Sequence, residues 1–542
     1  MPALSRSRRR LRARRLPPAW TITALLGLAY VIASPPSSDL AAAAYRSELL
    51  SRVGFTLWDD SWYGGHHLLA YSVLAPALGA LVGVQLLSAL SMTLATALFA
   101  ALLAGRFPAR AAWVASAWFA LGAAVALLAN RVPFDLGLAL ALAALGLAQR
   151  ERHGAAAALA LASSLASPVA GAFLALALLA WALAGPERAW PLALTLAALA
   201  PIAALELAFP EGGAQPFVAS AFYPALAGVL AIAAVVPPER RVLRAGALLY
   251  ALAMTGAYVL PSAVGGNADR LGALFGAPVL ALVLLGGSTI GRRPRLLLAL
   301  APLLLYWQAN APVADFAAAL GDPAVHASYY APLLGELKAL RIGYGGPPTR
   351  PARIEVVPSV DHGEARWVAA KIMIARGWER QLDTLRNAIF YEESKPLTAA
   401  RYRAWLSAQA ISYVALSDGP LDYSGKAEAR LLRGAQRPAY LREVWRSAHW
   451  RLFAVSGATP LAQPPALLTQ LGSDSFTLRA PRAGTFAVRV RFTPYWALAG
   501  TGGCVQRAPG GWTDVRASRP GRFHVVIRFA LARVFDHGAR CA

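Results

Sequence analysis

The 542-residue chain is poor in the residues from which most metal, redox and soluble-enzyme sites are built. It has two cysteines, Cys504 and Cys541, and eight histidines, so no Cys/His cluster with zinc or iron–sulfur spacing can be drawn. It also lacks a Walker loop, a dinucleotide fingerprint following a strand and a Gly-x-Ser-x-Gly elbow, which excludes the common nucleotide-binding and serine-hydrolase classes. No repeat of fixed period is present, so solenoids and propellers are set aside. Charge is scarce where it matters most. Only 15% of the chain is charged, and the long apolar runs of the first 312 residues carry almost none of it. That scarcity disfavours a transporter, which would need charged pairs near the bilayer midplane and broken-helix repeats.

What is abundant is apolar sequence: 57% of the residues are hydrophobic. The runs repeatedly reach bilayer-spanning length, and they predict about eleven spans, at 17–34, 84–104, 112–129, 134–149, 154–166, 168–185, 189–209, 218–237, 245–263, 271–290 and 296–312. The pieces on either side of Ser167-Pro168 are short and could instead form one helix kinked at the proline. The arginines favour two crossings. Residues 1–312 hold 22 Arg and 11 acids, and 18 of those Arg fall in segments on one side of the predicted bundle: seven between Arg6 and Arg15, then Arg106, Arg110, Arg150, Arg152, Arg188, Arg240, Arg241, Arg244, Arg292, Arg293 and Arg295. By the positive-inside rule that side is the cytoplasm. The net charge of +24 is therefore topological and calls for no nucleic-acid partner. The Arg-rich start also fits a signal peptide, and either reading leaves residue 35 outside. Four Lys among 52 basic residues, with much Ala and Gly, point to a GC-rich genome of actinobacterial type.

The organisation that follows is a cytoplasmic segment 1–16, a membrane domain 17–312 with an outer loop 35–83, and an extracytoplasmic part in two pieces. Residues 313–460 mix helical patterns (364–376, 398–409) with short strands (353–357, 411–416), an α/β lobe. Residues 461–542 read as a β-sandwich module with strands near 475–480, 484–492 and 522–529. Both cysteines fall in that module, and outside the cytoplasm they are expected to pair. Closing so long a loop is worth about 3–4 kcal/mol in the chain-entropy model.

The outer loop carries the feature most suggestive of chemistry, the adjacent carboxylates of Trp58-Asp59-Asp60. Ser37-Ser38-Asp39 supplies an N-cap and a negative first turn for a helix whose buried face would hold Leu40, Ala43, Ala44 and Ser47, with Arg46 and Glu48 off it. The apolar segment 67–83 predicts a second surface helix with Pro76 midway, because counting it as a span would put Arg106 and Arg110 outside. One span, a structured acidic outer loop, a second apolar surface helix and then the second span together resemble the GT-C superfamily of polyprenyl-phosphate-sugar-dependent glycosyltransferases. The residues that carry the resemblance are Asp39, Trp58-Asp59-Asp60-Ser61-Trp62-Tyr63 and His67 through Arg106. It covers residues 1–312 as architecture. The Asp pair stands where better-defined families have Asp-x-Asp or Glu-x-Asp. The later half resembles actinobacterial integral membrane proteins of the same general shape.

The resemblance implies transfer of a sugar from a polyprenyl-phosphate donor to an envelope glycan or glycolipid on the outer face. An acceptor hydroxyl needs a general base, for which Asp59 and Asp60 are the candidates. The lipid-phosphate leaving group needs cations or hydrogen-bond donors. Arg131 and Arg270 are among the few arginines expected at the outer ends of the spans; their alternative role is to anchor helix ends. Asp135 could line the same cavity or cap its helix, and Glu206 sits inside a span where an ionisable group is costly unless paired or wet. His66-His67 beside the acidic pair could bind a divalent cation, although many such enzymes need none. In the outer lobe, Arg376, Trp378 and Arg380 combine a stacking ring with charged donors, as saccharide sites do, or they serve the lobe's own packing. The run 445–451 alternates as a half-buried strand. The competing class is a non-catalytic envelope-assembly or glycan-binding membrane protein, in which the two carboxylates would face bulk water; the enzyme predicts that they line a cleft.

Overall fold

The computed structural model describes residues 16–286, 293–392, 394–434, 437–535 and 541. The basic run 6–15, with the signal-peptide reading attached to it, and Arg292 lie outside the described residues.

An apolar helix forms on each predicted span. These are α1 (Trp20–Ala33), α4 (Val84–Leu103), α5 (Ala109–Ala126), α6 (Val132–Ala148), α7 (His153–Ala166), α8 (Pro168–Ala184), α9 (Ala189–Ala208), α10 (Ala219–Val235), α11 (Arg241–Val259), α12 (Asp269–Leu285) and α13 (Pro294–Ala319). Between α1 and α4 lie α2 (Ser38–Val53) and α3 (Ala75–Val82). Six helices are long and apolar enough to cross a membrane: α4, α5, α9, α11, α12 and α13, with the short 3-10 turns adjoining α5 and α12 counted in. The other five, α1, α6, α7, α8 and α10, are apolar but shorter, at 14–17 residues.

The break at Ser167-Pro168 makes two helices. Ser167 is extended, its side chain accepts from the Ala170 N–H, and Pro168 takes the first helical position, where a missing N–H costs nothing. Trp190, at the start of α9, stacks on His153 at the start of α7 and meets Trp181 near the end of α8. The two helices are therefore an antiparallel hairpin. Gly171 packs on Ser164, where a Cβ would come within 2.0 Å of the hydroxyl.

Contacts sort the connections into two ends of the bundle. At one end Asn130 meets Pro35 and Ser37, the Ser72 hydroxyl donates to the Ala166 carbonyl, Gln215 N–H donates to Ser262, and Tyr495 donates to the Ala208 carbonyl. At the other end the Trp113 indole donates to Pro17 and Arg240 lies over Phe107. The second end carries the arginines of the connections 104–108, 149–152, 185–188 and 236–240 and of the starts of α5, α11 and α13.

Several expectations change at the outer end. The helix expected over 67–83 forms only over α3, because Pro76 is accepted in a first turn and not mid-helix; residues 68–74 are irregular. α13 runs through Pro312 to Ala319, past the expected end of the last span at 312. In α2, Ala41–Leu49 is buried nearly all round, Arg46 included, since the outer lobe covers the face expected to meet water. Ser37 precedes α2, but its side chain makes no capping bond; it donates to the Ala129 carbonyl and accepts from Asn130.

Beyond α13, five strands form one sheet in the order 373–374, 353–356, 411–417, 450–455, 441–446, parallel across the first three and antiparallel across the last two pairs. The helix expected over 364–376 shortens to Glu364–Trp367 before the edge strand. The run 445–451 is the turn of a hairpin, joining strands 441–446 and 450–455. From Leu467 on, two antiparallel sheets of four and three strands enclose Phe476, Leu478, Phe486, Val488, Val490, Val515, Phe523 and Val525. Cys504 and Cys541 are disulfide-bonded, with Cα atoms 5.5 Å apart.

Candidate active site

The loop between α2 and α3 is the joint of the molecule. Residues 58–59 and 66–67 pair as a short hairpin with Asp59 opposite His66. Its turn runs through Tyr63, Gly64 and Gly65, all at positive φ. A Cβ at Gly65 would stand 2.2 Å from the Trp58 ring, and one at Gly64 2.6 Å from the Arg353 guanidinium, so neither position admits a side chain. Trp58 enters the core between the two C-terminal sheets, while Trp62 and Tyr63 enter the core of the α/β lobe. Backbone bonds fasten the loop to both: Asp60 N–H to Ser473, Ile374 N–H to Ser61, and Arg491 N–H to Gly64.

This joint uses the acidic pair structurally. Asp59 and Asp60 are both fully buried. Asp59 accepts from the Tyr45 hydroxyl at 2.9 Å and the Ser61 N–H at 3.1 Å, and Asp60 accepts from the Trp58 indole at 2.6 Å. Burial pushes both carboxyls above their ordinary range, Asp60 strongly, with Arg353 pulling Asp60 the other way. They line none of the cavities described below. The fold thus brings them neither to a cleft nor to bulk water, because the lobes built on this loop close over it.

The histidines are absorbed in the same way. His66 stacks on Trp62 at 5.4 Å, and burial lowers its pKa to about 3, which leaves it neutral. His67 meets Glu211 at 2.8 Å and Thr493 at 2.9 Å. Burial opposes ionisation of Glu211, but Arg386 at 2.7 Å and His67 outweigh it and hold its pKa at about 2. Among the described residues, no group of three or more His, Cys, Asp or Glu is arranged to hold a metal ion.

The saccharide candidates of the outer lobe divide. Arg376 is buried, donating to Asp383 at 2.6 Å and Ser424 at 2.7 Å; Arg380 is bidentate on Asp422 at 2.9 and 2.8 Å. Their hydrogen bonds go to carboxylates and hydroxyls of the lobe itself, which fits the second of the two roles open to them in the sequence, the lobe's own packing. Trp378 differs. Half-buried between His362 (3.8 Å) and Arg380, it donates its indole N–H to Asp39 at 3.2 Å.

Arg131, Asp135 and Arg270 do converge. They line one cavity of about 230 Å3 at the end of the bundle that carries the loop between α1 and α4, together with Gln215, Asn267, Asp269, Trp307 and Gln308. Arg131 is ion-paired with Asp39 at 3.5 Å and Asp315 at 3.7 Å, and its buried Nε makes no hydrogen bond. Arg270 donates to Asn267 at 2.5 Å and lies over Phe134, and Asp135 accepts from Ser88. Next to this cavity, deeper in the bundle, is an apolar one of about 290 Å3 between α6, α8, α10, α11 and α12, lined by Leu138, Phe173, Leu243, Leu271 and Phe275. Trp307 borders both. Its indole donates to Asp269 at 2.9 Å, and Gly272 and Gly276 leave the slot its ring fills, since a Cβ at either would meet it at 2.5 or 3.0 Å. Glu206 is exposed on α9 and lines neither cavity.

In the sequence Asp39 stands as a helix-start charge and as one of the residues that carry the GT-C resemblance, but not as a candidate base; Trp307 and Gln308 are not singled out at all. The signal for Asp39 was its position between span and surface helix; nothing in the sequence marks Trp307 or Gln308 among so many apolar neighbours.

No family model and no curated protein matches the chain. Among solved structures it is similar to two cryo-EM classes of the arabinofuranosyltransferase AftD from Mycobacteria. One has 16% identity, 82% of this chain covered and a TM-score of 0.45; the other has 15%, 86% and 0.43. The chain spans 42% of the length of each.

Proposed function

We propose that this chain is a membrane glycosyltransferase that moves a sugar from a polyprenyl-phosphate donor to a cell-envelope acceptor at the outer membrane face, with its N-terminus cytoplasmic and residues 313–542 outside. The observation that supports this best is the pair of adjoining cavities. An anionic lipid head needs fixed cations at the membrane surface, and its chain needs an apolar slot beneath them. Arg131 and Arg270 supply the first, and the cavity under Trp307 supplies the second. A phosphate there would accept from the guanidinium groups of Arg131 and Arg270, and those donors would stabilise the charge that grows on the leaving phosphate.

The base is reassigned. Asp39 retains partial exposure, with its side chain 26% accessible, and it is ion-paired to Arg131 of the cavity wall. The Trp378 indole orients one oxygen and Arg131 holds the other. As a carboxylate with access to solvent it can take the proton of an acceptor hydroxyl as that oxygen attacks the anomeric carbon. Asp59 and Asp60 have no such access. Asp135 in the cavity wall is the alternative partner for a sugar hydroxyl.

The test is binding of farnesyl phosphate to the purified protein in nanodiscs. Saturable binding that weakens at least tenfold in Arg131→Gln and in Arg270→Gln, with unchanged thermal stability, supports the reading. Equal binding in wild type and both variants removes it.

A further inference from the structure

Among the described residues, the segment 528–535 presents an exposed apolar surface. After the last strand, Gly521–Ile527, the chain turns through Arg528, Phe529 and Leu531 into a short helical turn, Ala532–Phe535. Phe529 is 52% exposed, Leu531 70% and Phe535 69%. Large apolar side chains this accessible in one short segment are unusual on a surface that meets only water.

Their position explains them. Phe529 forms an aromatic triad with Tyr495 and Phe209, the ring centroids 5.3 to 6.0 Å apart. Phe209 is the residue that ends α9, and Tyr495 donates its hydroxyl to the carbonyl of Ala208 in the last turn of that helix. α9 is one of the helices able to cross a membrane, and along it Leu192, Leu196, Leu199 and Leu207 are exposed. Phe209 is itself buried beneath this triad, so exposed Phe529 packs against the end of α9, at the level where a spanning helix leaves the hydrocarbon. Aromatic side chains concentrate at that level in membrane proteins. The module behind this segment is strongly basic: residues 461–542 hold 11 Arg and three Asp. Arg528 is exposed beside Phe529.

We infer that residues 528–535 dock on the outer leaflet, with Phe529, Leu531 and Phe535 in the interfacial zone and the module's arginines facing anionic lipid head groups. Each basic residue near such a surface is worth about 1 kcal/mol, and apolar burial adds to it. The β-sandwich module is in this way held at the membrane by its own surface as well as by the loop beneath it. The inference is independent of any catalytic role.

Because both native cysteines are joined to each other, a new cysteine reports from one place. Leu531→Cys, spin-labelled in the full-length protein in nanodiscs containing phosphatidylglycerol, would be compared with Arg482→Cys, which labels an exposed turn of the same module. The inference expects the label at 531 to be several-fold more accessible to oxygen and less accessible to a nickel chelate than the label at 482. Accessibility equal to that of the control overturns it. Protection from both reagents with spin–spin broadening also overturns it, since that would mean a second copy covers the patch. Mass spectrometry confirming the intact Cys504–Cys541 bond, and an unchanged melting temperature, exclude misfolding as the source of either result.

Discussion

Arg46→Met is the sharpest perturbation of the joint between the surface helix α2 and the outer lobe. Arg46 is 3% exposed; it is ion-paired and hydrogen-bonded to buried Glu379 and lies over the rings of Tyr71 at 4.1 Å and Trp62 at 5.1 Å. Methionine fills much of the same volume but leaves the Glu379 carboxylate buried without its cation. Removing one partner of a buried pair costs about 3–5 kcal/mol, which for a folding unit of this size lowers the melting temperature by roughly 6–20 °C. The pH dependence carries a definite sign. Burial raises the Glu379 pKa, and Arg46 is the main group lowering it, so the substitution moves it further up. A raised folded-state pKa makes stability fall as pH rises from the ordinary glutamate value through the folded one. Arg46→Met should therefore lose most near neutrality and recover as Glu379 takes up a proton in mild acid. The double variant Arg46→Met with Glu379→Gln should recover at every pH. The assay is melting by intrinsic fluorescence in detergent between pH 4.5 and 8. A loss below about 1 kcal/mol, or one that neither acid nor Glu379→Gln relieves, would refute the account of this joint.

Glu211→Gln should cost about 3 kcal/mol at pH 7, from the shift of its pKa to about 2 under Arg386 and His67. Because that pKa is depressed, the contribution is present above the unfolded value and lost as pH falls through the folded one, so the stability difference between wild type and variant should shrink from pH 7 to pH 3. Gly65→Ala, with its new methyl 2.2 Å from the Trp58 ring at φ 123°, should cost about 2–6 kcal/mol from overpacking and backbone strain; melting within 2 °C of wild type would contradict the packing described. Arg376→Gln should lower the melting temperature while leaving transfer per folded molecule unchanged; an inactive variant of wild-type stability would return Arg376 to the saccharide site.

Periodicity and turn chemistry reveal the bundle because each helix there is determined by its own sequence. Ser167-Pro168 leaves open one kinked helix or two and the arginine pattern favours two, while the strands 411–417 and 475–480 follow from short β-branched and alternating runs bounded by turn residues. The outer loop is legible only as a location. Its detail depends on residues hundreds of positions away: Arg46 is buried because Glu379 comes to it, and Asp60 because Ser473 closes over its backbone. The same logic bears on Arg376 and Arg380, whose carboxylate partners Asp383 and Asp422 no local spacing reveals. Arg131, Asp135 and Arg270, which line one cavity, stand out in the sequence because charge at the end of an apolar span is rare enough to be noticed without knowing its neighbours.

The functional carboxylate proposed for this loop is Asp39, ion-paired to Arg131 of the Arg131–Arg270 cavity, while Asp59 and Asp60 hold the loop in place. Sugar transfer should be measured in membranes carrying Asp39→Asn, Asp59→Asn or Asp60→Asn, normalised to folded protein. The account predicts that Asp39→Asn reduces transfer at least a hundredfold with unchanged stability, whereas the other two keep transfer per folded molecule within a few-fold of wild type. Full activity in Asp39→Asn, or a stable but inactive Asp59→Asn or Asp60→Asn, would contradict it.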